Sequence, residues 1–414
     1  MKRFIQFTFI ISLFGLLLFA CNMADEPTLQ DVQPAEPIAL TPKQSEKATA
    51  DNRFAFKMFR EVSVLSDEPN TFFSPLSLNM ALGMLYNGTS GETRTEMADV
   101  LGLAGFTDTE INEYYQKMSQ ALLGIDPLTT LSIANSIWYR SGFSVKKPFI
   151  DLNKKYFDAE VQALDFSRPD AADIINKWCS DKTKDRIKEI IQKPTDASIV
   201  MFLINALYFK SKWQYEFDKK QTKQDDFTTG DNRIIKVNMM EQTSDLRFFS
   251  DQHLQCVEIP YGNQAFKMTV ILPSGDTDIN RLINYLDDNA WQNAVKGLSP
   301  RSVKLKLPRY KNECEMKLND PVMNVGMKRI FGGGLLNIAD AGLFVSNIKQ
   351  KTFVEVNEAG TEAAAVTVIE IRESYDPNAS QPVLFFANRP FLYLITEKST
   401  GAILFIGRMD EPKE

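Results

Sequence analysis

The sequence has one histidine, His253, among its 414 residues. A serine- or cysteine-dependent hydrolase uses a histidine as its general base, so His253 would have to fill that role alone. No G-x-S-x-G elbow, H-E-x-x-H motif or phosphate-binding Walker loop occurs either. We therefore expect His253 to be a surface or strand-edge residue, in a protein that acts by binding rather than by catalysis.

Cysteine is also scarce. The four cysteines are Cys21, Cys179, Cys256 and Cys314, and no two of them form a C-x-x-C pair. This spacing indicates neither a disulfide framework nor a zinc site, and we expect the last three to be buried thiols. The sequence predicts no metal and no cofactor.

The sequence also has no excess of positively charged residues. Lys and Arg total 47 against 53 Asp and Glu, which gives a net charge of −6. Nucleic-acid binding needs a basic face, so no nucleic acid is expected as a partner. Hydrophobic residues make up 44% of the chain, enough for a large core. No internal repeat or second linker divides that core, so we expect one domain over residues 46–414.

The first twenty residues differ from the rest. Lys2 and Arg3 precede an apolar run over residues 4–20, the pattern of a secretory signal peptide, and this run is short for a membrane-spanning helix. Residues 18–21, LFAC, resemble the lipobox of bacterial lipoproteins, whose cysteine is lipidated after cleavage. The resemblance implies a signal peptide at 1–20 and a lipid anchor on Cys21. The alternative is a plain signal peptide with a chance cysteine beside it.

Residues 21–45 are predicted to be a flexible tether between the lipidated cysteine and the domain. They contain Pro27, Pro34, Pro37 and Pro42 among polar residues, without an apolar period. The expected location is a bacterial outer membrane or cell surface, facing the periplasm or the exterior. The sequence does not distinguish the inner membrane from the outer one.

Apolar periodicity predicts a mixture of helices and strands. Helical spacing covers residues 74–85, 93–101 and 173–191, whereas residues 132–139, 199–208, 266–272 and 302–307 have strand character. Helices cluster early and strands late, which favours an α+β protein with large antiparallel sheets.

Eight segments occur in the order found in one protein family. They are 70–77 (NTFFSPLS), 87–93 (NGTSGET), 134–138 (ANSIW), 205–213 (NALYFKSKW), 257–261 (VEIPY), 307–311 (LPRYK), 352–365 (TFVEVNEAGTEAAA) and the ending, 388–395 (NRPFLYLI) with 405–408 (FIGR). Together they resemble the serpins, which inhibit proteases by trapping them. The resemblance runs over nearly the whole predicted domain.

Membership would imply an α+β fold with about three β-sheets, one of them a large central sheet. It would also imply about nine helices and an exposed reactive-centre loop over about residues 358–386. Such a chain would be a monomeric inhibitor of serine-type, or also cysteine-type, endopeptidases and not an enzyme. In this family the protease cuts the loop, and the loop then inserts into the central sheet and carries the acylated protease to the far pole. The alternative is a non-inhibitory serpin that acts as a surface binding protein.

Residues 361–372 have the alternation that an inserted strand requires. The odd positions carry uncharged Thr, Ala and Ile side chains, whereas Glu362, Glu370 and Arg372 occupy even positions. A strand that is buried on one face needs small or apolar side chains inward at every second position. The β-branched residues at 366–369 disfavour the alternative, an alanine-rich helix.

The hinge sequence separates inhibitory from non-inhibitory serpins. By resemblance it comprises Glu358, Gly360, Thr361, Glu362, Ala363, Ala364 and Ala365. Gly360 can bend the backbone without a Cβ penalty, and Thr361 is the first side chain that must enter the sheet. Trp213 corresponds to the breach, the part of the sheet where insertion begins.

The resemblance also predicts a buried polar network, the shutter, formed by Ser74, Ser77, Asn205 and Gln350. Gln350 stands where the family usually has a histidine. A carboxamide can donate and accept hydrogen bonds but cannot titrate, so no histidine-linked pH response is expected from this network. The alternative is that Gln350 faces solvent.

The scissile bond is predicted by counting along the loop. The family's usual spacing forward from Gly360 gives the bond Ser374–Tyr375, whereas counting back from Pro390 gives Ala379. We favour the forward count because the inserted length is what carries the protease. Ser374 would suit elastase- or subtilisin-like proteases. Tyr375, ranked second, would suit chymotrypsin-like enzymes, and Arg372, ranked third, would suit trypsin-like ones.

Overall fold

The structure is a computed structural model that describes residues 33–196, 198–275, 277–362 and 381–414. Within these residues there are nine α-helices and one short 3-10 helix. The helices are α1 Pro42–Leu65, α2 Pro75–Tyr86, α3 Gly91–Val100, α4 Asp108–Leu122, α5 Lys147–Phe157, α6 Ala171–Lys182, α7 Ile279–Tyr285, α8 Asp288–Gly297 and α9 Asn319–Asn324, with the 3-10 helix at Arg329–Phe331. The strands are β1 Thr71–Phe73, β2 Thr129–Arg140, β3 Glu160–Leu164, β4 Met201–Lys212, β5 Lys223–Thr228, β6 Ile234–Ser250, β7 Leu254–Pro260, β8 Phe266–Pro273, β9 Ser299–Pro308, β10 Tyr310–Lys317, β11 Lys349–Asn357, β12 Gly360–Thr361, β13 Val383–Phe386, β14 Phe391–Glu397 and β15 Ile403–Met409.

The helix starts follow capping signals in the sequence. Thr41 precedes α1 in a capping box, and Ser74 caps α2 by accepting a hydrogen bond from the Ser77 amide. The helices predicted at 74–85 and 93–101 are confirmed as α2 and α3.

The helix predicted over residues 173–191 is shorter than expected, because α6 ends at Lys182. The two residues after Thr183 are left-handed, with φ values of 52° and 62°. Such residues cannot continue a right-handed helix. Thr183 Oγ1 also accepts the Ile187 amide at 3.0 Å, so a side chain replaces the helical hydrogen bond.

A six-stranded sheet, called here the central sheet, has the strand order β10-β11-β12-β4-β2-β3. β2 and β4 pair antiparallel along almost their whole length, and β3 adds in parallel on the far side. The strands predicted at 132–139 and 199–208 correspond to β2 and β4. α6 lies against β2 and β4, so it covers one face of the central sheet.

The other nine strands form one hydrogen-bonded sheet rather than two. β6 is 17 residues long and pairs with β5 at its start, with β9 along its middle and with β7 at its end. Because this one strand runs through both layers, the expected second and third sheets are joined. The described strands therefore form two sheets instead of about three. The strands predicted at 266–272 and 302–307 are confirmed as β8 and β9.

The folded domain begins before residue 46, where the tether was expected to end. α1 starts at Pro42, and the residues before it follow the domain surface. The Ala35 amide donates to the Asn263 carbonyl at 3.2 Å, and Ile38 packs against the core. Residues 33–41, the described part of the predicted tether that precedes α1, are therefore bound to the domain.

Most apolar side chains join one large core between the two sheets and the surrounding helices. A smaller cluster lies under α6 and includes Trp138 and Trp178, whose rings contact edge to face. Across the described ranges, no helix combines the length and the apolar character that a bilayer crossing requires.

Candidate functional site

A slot lies in the central sheet between β4 and β11. β11 pairs with β10 on its other side, and β4 pairs with β2. Within the described chain these two strands are linked through β12 alone. Its two residues pair with Asn357 and Val356 of β11 and with Lys212 and Ser211 of β4. Beyond β12, neither β4 nor β11 has a described strand partner in the slot, so their backbone groups can pair with an added antiparallel strand.

Thr361 is the first side chain inside this slot. It is 1% exposed and lies opposite Val356, which faces the core. Its Oγ1 is 2.6 Å from the Tyr261 hydroxyl. Burial raises the pKa of Tyr261 above its usual range, and the hydrogen bond to Thr361 opposes that rise without reversing it. The structure therefore places Thr361 inward, on the face that the alternation at 361–372 requires.

Trp213 holds the backbone that leads to the hinge. Its ring stacks on Tyr261 with centroids 4.4 Å apart, and its Nε1 donates to the Asn357 carbonyl at 2.8 Å. The Trp213 amide donates to the Ala359 carbonyl at 3.0 Å. The predicted breach residue thus binds two carbonyl groups that come just before Gly360.

Gly360 occupies a position that a larger residue does not fit. Its φ is 152°, and an added Cβ would lie 2.1 Å from the Ser211 carbonyl oxygen and 2.8 Å from Lys212 Cα. Backbone atoms of a paired strand cannot move aside cheaply, so a side chain here would push β12 away from β4.

Glu358 is buried beside the hinge although it is acidic. Its side chain is 4% exposed, and its Oε2 lies 3.6 Å from Arg309 Nε. Its Oε1 accepts the Thr222 hydroxyl at 2.8 Å, and its carbonyl accepts the Phe217 amide at 2.9 Å. These partners offset the cost of burying a carboxylate, so Glu358 is anchored by both its side chain and its backbone.

Glu362 differs from its expected surroundings. The alternation places it on the outward face, yet its side chain is 2% exposed because Arg186 covers it, with Nε 3.3 Å from Oε1. The Arg186 guanidinium also lies 5.0 Å from the Phe353 ring centroid. Burial raises the pKa of Glu362, and the Tyr208 hydroxyl and Arg186 partly offset that rise. The segment after α6, which carries Arg186, therefore covers the outward face at this point.

Gln350 is buried at 7% exposure, so the solvent-facing alternative is wrong. Its Oε1 accepts the Ser74 amide at 2.7 Å, and its Nε2 donates to the Ser74 carbonyl at 2.9 Å. The carboxamide thus satisfies two backbone groups next to α2. The Ser74 hydroxyl is used elsewhere, since it donates to the Leu404 carbonyl at 2.7 Å.

The other shutter residues form a separate half of the network. Ser77 Oγ donates to the Asn205 carbonyl at 3.4 Å, and Asn205 Nδ2 donates to Asn135 Oδ1 at 2.6 Å. Asn205 Oδ1 is buried and has no hydrogen-bond partner among the described residues. The single network that we expected is divided, because Gln350 belongs to β11 and Asn205 to β4, on opposite sides of the slot.

Four residues that shape the site were not predicted: Tyr261, Asn135, Arg309 and Arg186. The first three lie within segments that match the family pattern, so those motifs could have pointed to them. Arg186 lies in no matched segment, and it reaches Glu362 through the path of the chain after α6.

Several predicted site residues lie outside the described residues. They are Cys21, Ala363, Ala364, Ala365, Arg372, Ser374, Tyr375 and Ala379. Their roles stay predictions.

His253 and the three cysteines take part in none of the hydrogen bonds described above for the hinge and the shutter. The His253 ring lies 4.2 Å from the ring centroid of Tyr285, and its Nε2 is 3.0 Å from Gln252 Nε2. Cys179, Cys256 and Cys314 are free and buried, as expected, and burial raises the pKa of each thiol to about 12. Thiols with such pKa values are weak nucleophiles at neutral pH.

A family model described as serpin, serine protease inhibitor, matches residues 49–412. The chain belongs to the serpin family. This serpin is 32% identical over 378 residues to Iripin-2 of Ixodes ricinus, covering 89% of this chain and 94% of the relative. It is 31% identical over 388 residues to neuroserpin of Homo sapiens, covering 89% and 92%. An uncharacterised serpin-like protein of Thermococcus kodakarensis is 32% identical over 372 residues, covering 88% and 85%.

Solved serpin structures share the fold. The native structure of the thermophilic serpin tengpin matches with a TM-score of 0.82 at 27% identity, covering 92% of this chain and 98% of that one. Human thyroxine-binding globulin, solved with its thyroid-hormone ligand, matches with a TM-score of 0.81 at 25% identity, covering 90% and 100%. The predicted fold, α+β with a large central sheet, is confirmed.

Proposed function

We propose that this serpin is a monomeric inhibitor, not an enzyme, that traps proteases by loop cleavage and insertion. Serine-type enzymes are its expected targets, and cysteine-type enzymes stay possible targets. The slot carries this proposal, because among the described residues β12 pairs across it at two positions and Thr361 is already buried in it. Strand edges without partners inside a sheet are unfavourable, and an inserted strand would pair them.

The strand register supports an insertion of the predicted length. Continuing the antiparallel pairing from Thr361 would set residue 368 opposite Lys349, where β11 begins, and residue 371 opposite Met201, where β4 begins. The slot therefore matches the alternating segment 361–372. Each new ladder bond contributes about 0.5–1.5 kcal/mol, so insertion would release on the order of ten kcal/mol.

The same register relates strand insertion to the two halves of the shutter. It would set Thr367 opposite both Gln350 and Asn205. Asn205 Oδ1 lacks a donor in the described structure, and an inserted threonine hydroxyl could supply one. Insertion would then join the two halves of the network across the slot.

The second candidate function is a non-inhibitory serpin that acts as a surface binding protein. A structural neighbour, thyroxine-binding globulin, carries a binding function in its name. The hinge disfavours this function here, because Thr361 is small and uncharged and the segment after it is rich in alanine. An assay for trapped protease separates the two candidates.

We further propose that the domain is anchored through a lipid on Cys21 to a bacterial membrane, on the outer membrane or cell surface. The LFAC motif and the proline-containing polar stretch after it support this location. Because residues 33–41 are bound to the domain, the proposed tether comprises residues 21–32 and is shorter than the sequence predicted. Twelve residues at about 3.5 Å each would reach about 40 Å.

The test is incubation of residues 33–414 with a panel of elastase-, subtilisin-, chymotrypsin- and trypsin-like proteases, read on a denaturing gel. We expect a gel-stable covalent complex with at least one serine protease. The cleaved protein should also melt well above the intact one. Cleavage by several proteases without any trapped enzyme would favour the non-inhibitory function.

Mass spectrometry of the C-terminal fragment released from the complex locates the scissile bond. We expect a fragment that begins at Tyr375. A fragment that begins at Glu373 would make Arg372 the scissile residue and the serpin a trypsin-type inhibitor. One that begins at or after Ala379 would contradict the forward count from Gly360.

A further inference from the structure

A polar hollow lies beside the hinge and outside the slot. Its volume is about 340 Å³, and its lining consists of Lys219, Thr222, Asn238, Arg309, Asn357 and Glu358. Small-molecule sites in proteins typically occupy ~300–1,000 Å³, so the hollow has room for a compact ligand.

Two cationic side chains of this lining, Arg309 and Lys219, make no side-chain hydrogen bond with a described residue. Arg309 Nε lies 3.6 Å from Glu358 Oε2, and its Nη2 lies 4.0 Å from Glu414 Oε2. Both distances are too long for hydrogen bonds. In the part of the chain that the structure describes, the Lys219 ammonium makes no hydrogen bond or ion pair. The Arg309 guanidinium lies at ion-pair distance from Glu358 but makes no hydrogen bond with it, so its N–H groups can still donate to a carboxylate or phosphate group.

The charges of the lining favour an acidic ligand. Lys219 and Arg309 contribute two positive charges against one negative charge of the lining, that of Glu358, which already receives the Thr222 hydroxyl. The Glu414 carboxylate lies outside the lining, 4.0 Å from Arg309 and 41% exposed, and a bound acid would replace it there. We propose that this hollow binds a small organic molecule with two acidic groups, carboxylate or phosphate, one held by Arg309 and the other by Lys219.

The position of the hollow connects such a ligand to the hinge. Asn357 and Glu358 form part of its wall, and they lie three and two residues before Gly360. Arg309 joins β9 to β10, whereas Lys219 precedes β5. A ligand that bridges these two cations would restrict the backbone around residues 357–361, from which strand insertion starts.

The experiment is titration calorimetry on the uncleaved domain, residues 33–414, with succinate, with phosphoglycolate and with succinamide, the neutral analogue of succinate. We expect both acids to bind saturably and succinamide to give no heat. The acid that binds more tightly identifies the preferred acidic group. Hydrogen exchange of the amides at 357–361 should slow when the acid is bound. No protease enters these measurements, so their failure and the failure of the proposed inhibition are distinguishable.

Matched variants test whether Arg309 and Lys219 bind the ligand. Arg309→Gln should weaken binding about tenfold or more, since it removes a charge-assisted pair. Lys219→Gln should weaken binding about threefold, and it removes no hydrogen bond or ion pair with a described residue, so it should not disturb folding. Lys147→Gln, on the surface of α5 where Lys147 pairs with Asp151, is the control and should bind like the wild type. Equal heats from succinate and succinamide, no heat from either acid, or full affinity in Lys219→Gln would overturn the site.

Discussion

Replacing Thr361 by arginine tests the inward register of the hinge. The structure holds a small hydroxyl at this position, 1% exposed and 2.6 Å from the Tyr261 hydroxyl. The paired residues on either side are Val356 and Ser211, and neither is acidic. An arginine side chain that points inward would therefore bury its charge without a carboxylate at either paired position.

The magnitude follows from two losses. Removing a neutral buried hydrogen bond costs about 1 kcal/mol. Leaving an unpaired charge buried costs about 3–5 kcal/mol. The two together reach about 5 kcal/mol, and each 1.4 kcal/mol corresponds to a factor of about ten in rate. If half of this free-energy cost applies in the transition state for insertion, the rate of insertion falls by about two orders of magnitude. Hydrolysis of the acyl-enzyme is then faster than insertion.

The assay is the stoichiometry of inhibition, measured by titrating protease activity with wild type and variant. We expect Thr361→Arg to be cut as a substrate. From the rate estimate above, roughly ten or more serpin molecules should be consumed for each protease molecule trapped. Thr361→Val keeps the shape and removes the hydroxyl alone, so its stoichiometry should stay within a few-fold of the wild type.

Two results would refute this reasoning. An arginine variant that traps protease as efficiently as the wild type would show that residue 361 does not enter the sheet inward. A valine variant as poor as the arginine variant would show that the Tyr261 hydrogen bond, and not the buried charge, governs insertion.

The remaining predictions concern other parts of the molecule. Burial raises the pKa of Glu362 above its ordinary value of 4.5, so docking of the hinge should be strongest below that pH and should weaken as the pH rises through the raised pKa. The hydrogen-exchange rate of the hinge amides should then rise with pH more steeply than the intrinsic exchange rate of unstructured amides does. Glu362→Gln should abolish this additional pH dependence. Lys47 is fully buried against Asp51, so in chemical denaturation Lys47→Ala and Lys47→Met should each lower the free energy of unfolding by about 3–5 kcal/mol, because both leave the Asp51 carboxylate without its cation; a loss in Lys47→Met far below that in Lys47→Ala would contradict the role of the unpaired carboxylate. Gln350→Ala should cost about 1–3 kcal/mol in the same assay because it leaves two buried backbone groups without partners, and an unchanged stability would mean that water replaces the carboxamide. In cells, Cys21→Ala should abolish incorporation of labelled fatty acid and partition with membranes, and a wild-type protein that carries no lipid would disprove the anchor.

Much of the hinge follows from local sequence rules. Alternation along β11 is clean, with Gln350, Thr352, Val354 and Val356 facing the core. The alternation within residues 361–372, whose odd positions carry no charge, predicts Thr361 inward, because side chains of a strand alternate between its faces. The turn between β11 and β12 shifts the period by one residue, so the inward positions change from even to odd. Gly360 could also be assigned from sequence, since a bend before a tightly paired strand favours a residue without a Cβ.

Other parts of the site depend on residues far apart in sequence. The alternation along the strand predicts which face Glu362 occupies. It does not predict that Arg186 covers that face. Likewise, the sequence does not show that Lys219 and Arg309 share one hollow, or that β6 joins two layers into one sheet.

The sequence by itself determined the family, the α+β class, the inward position of Thr361 and two strands of the central sheet, β2 and β4, because periodicity and motif order are carried by neighbouring residues. The tertiary structure alone decided that β4 and β11 are joined through β12 alone among the described strands, that the slot between them divides the shutter into two halves, and that Glu362 is buried. These features depend on which distant segments meet, and that choice is made by the packing of the whole core rather than by any local pattern.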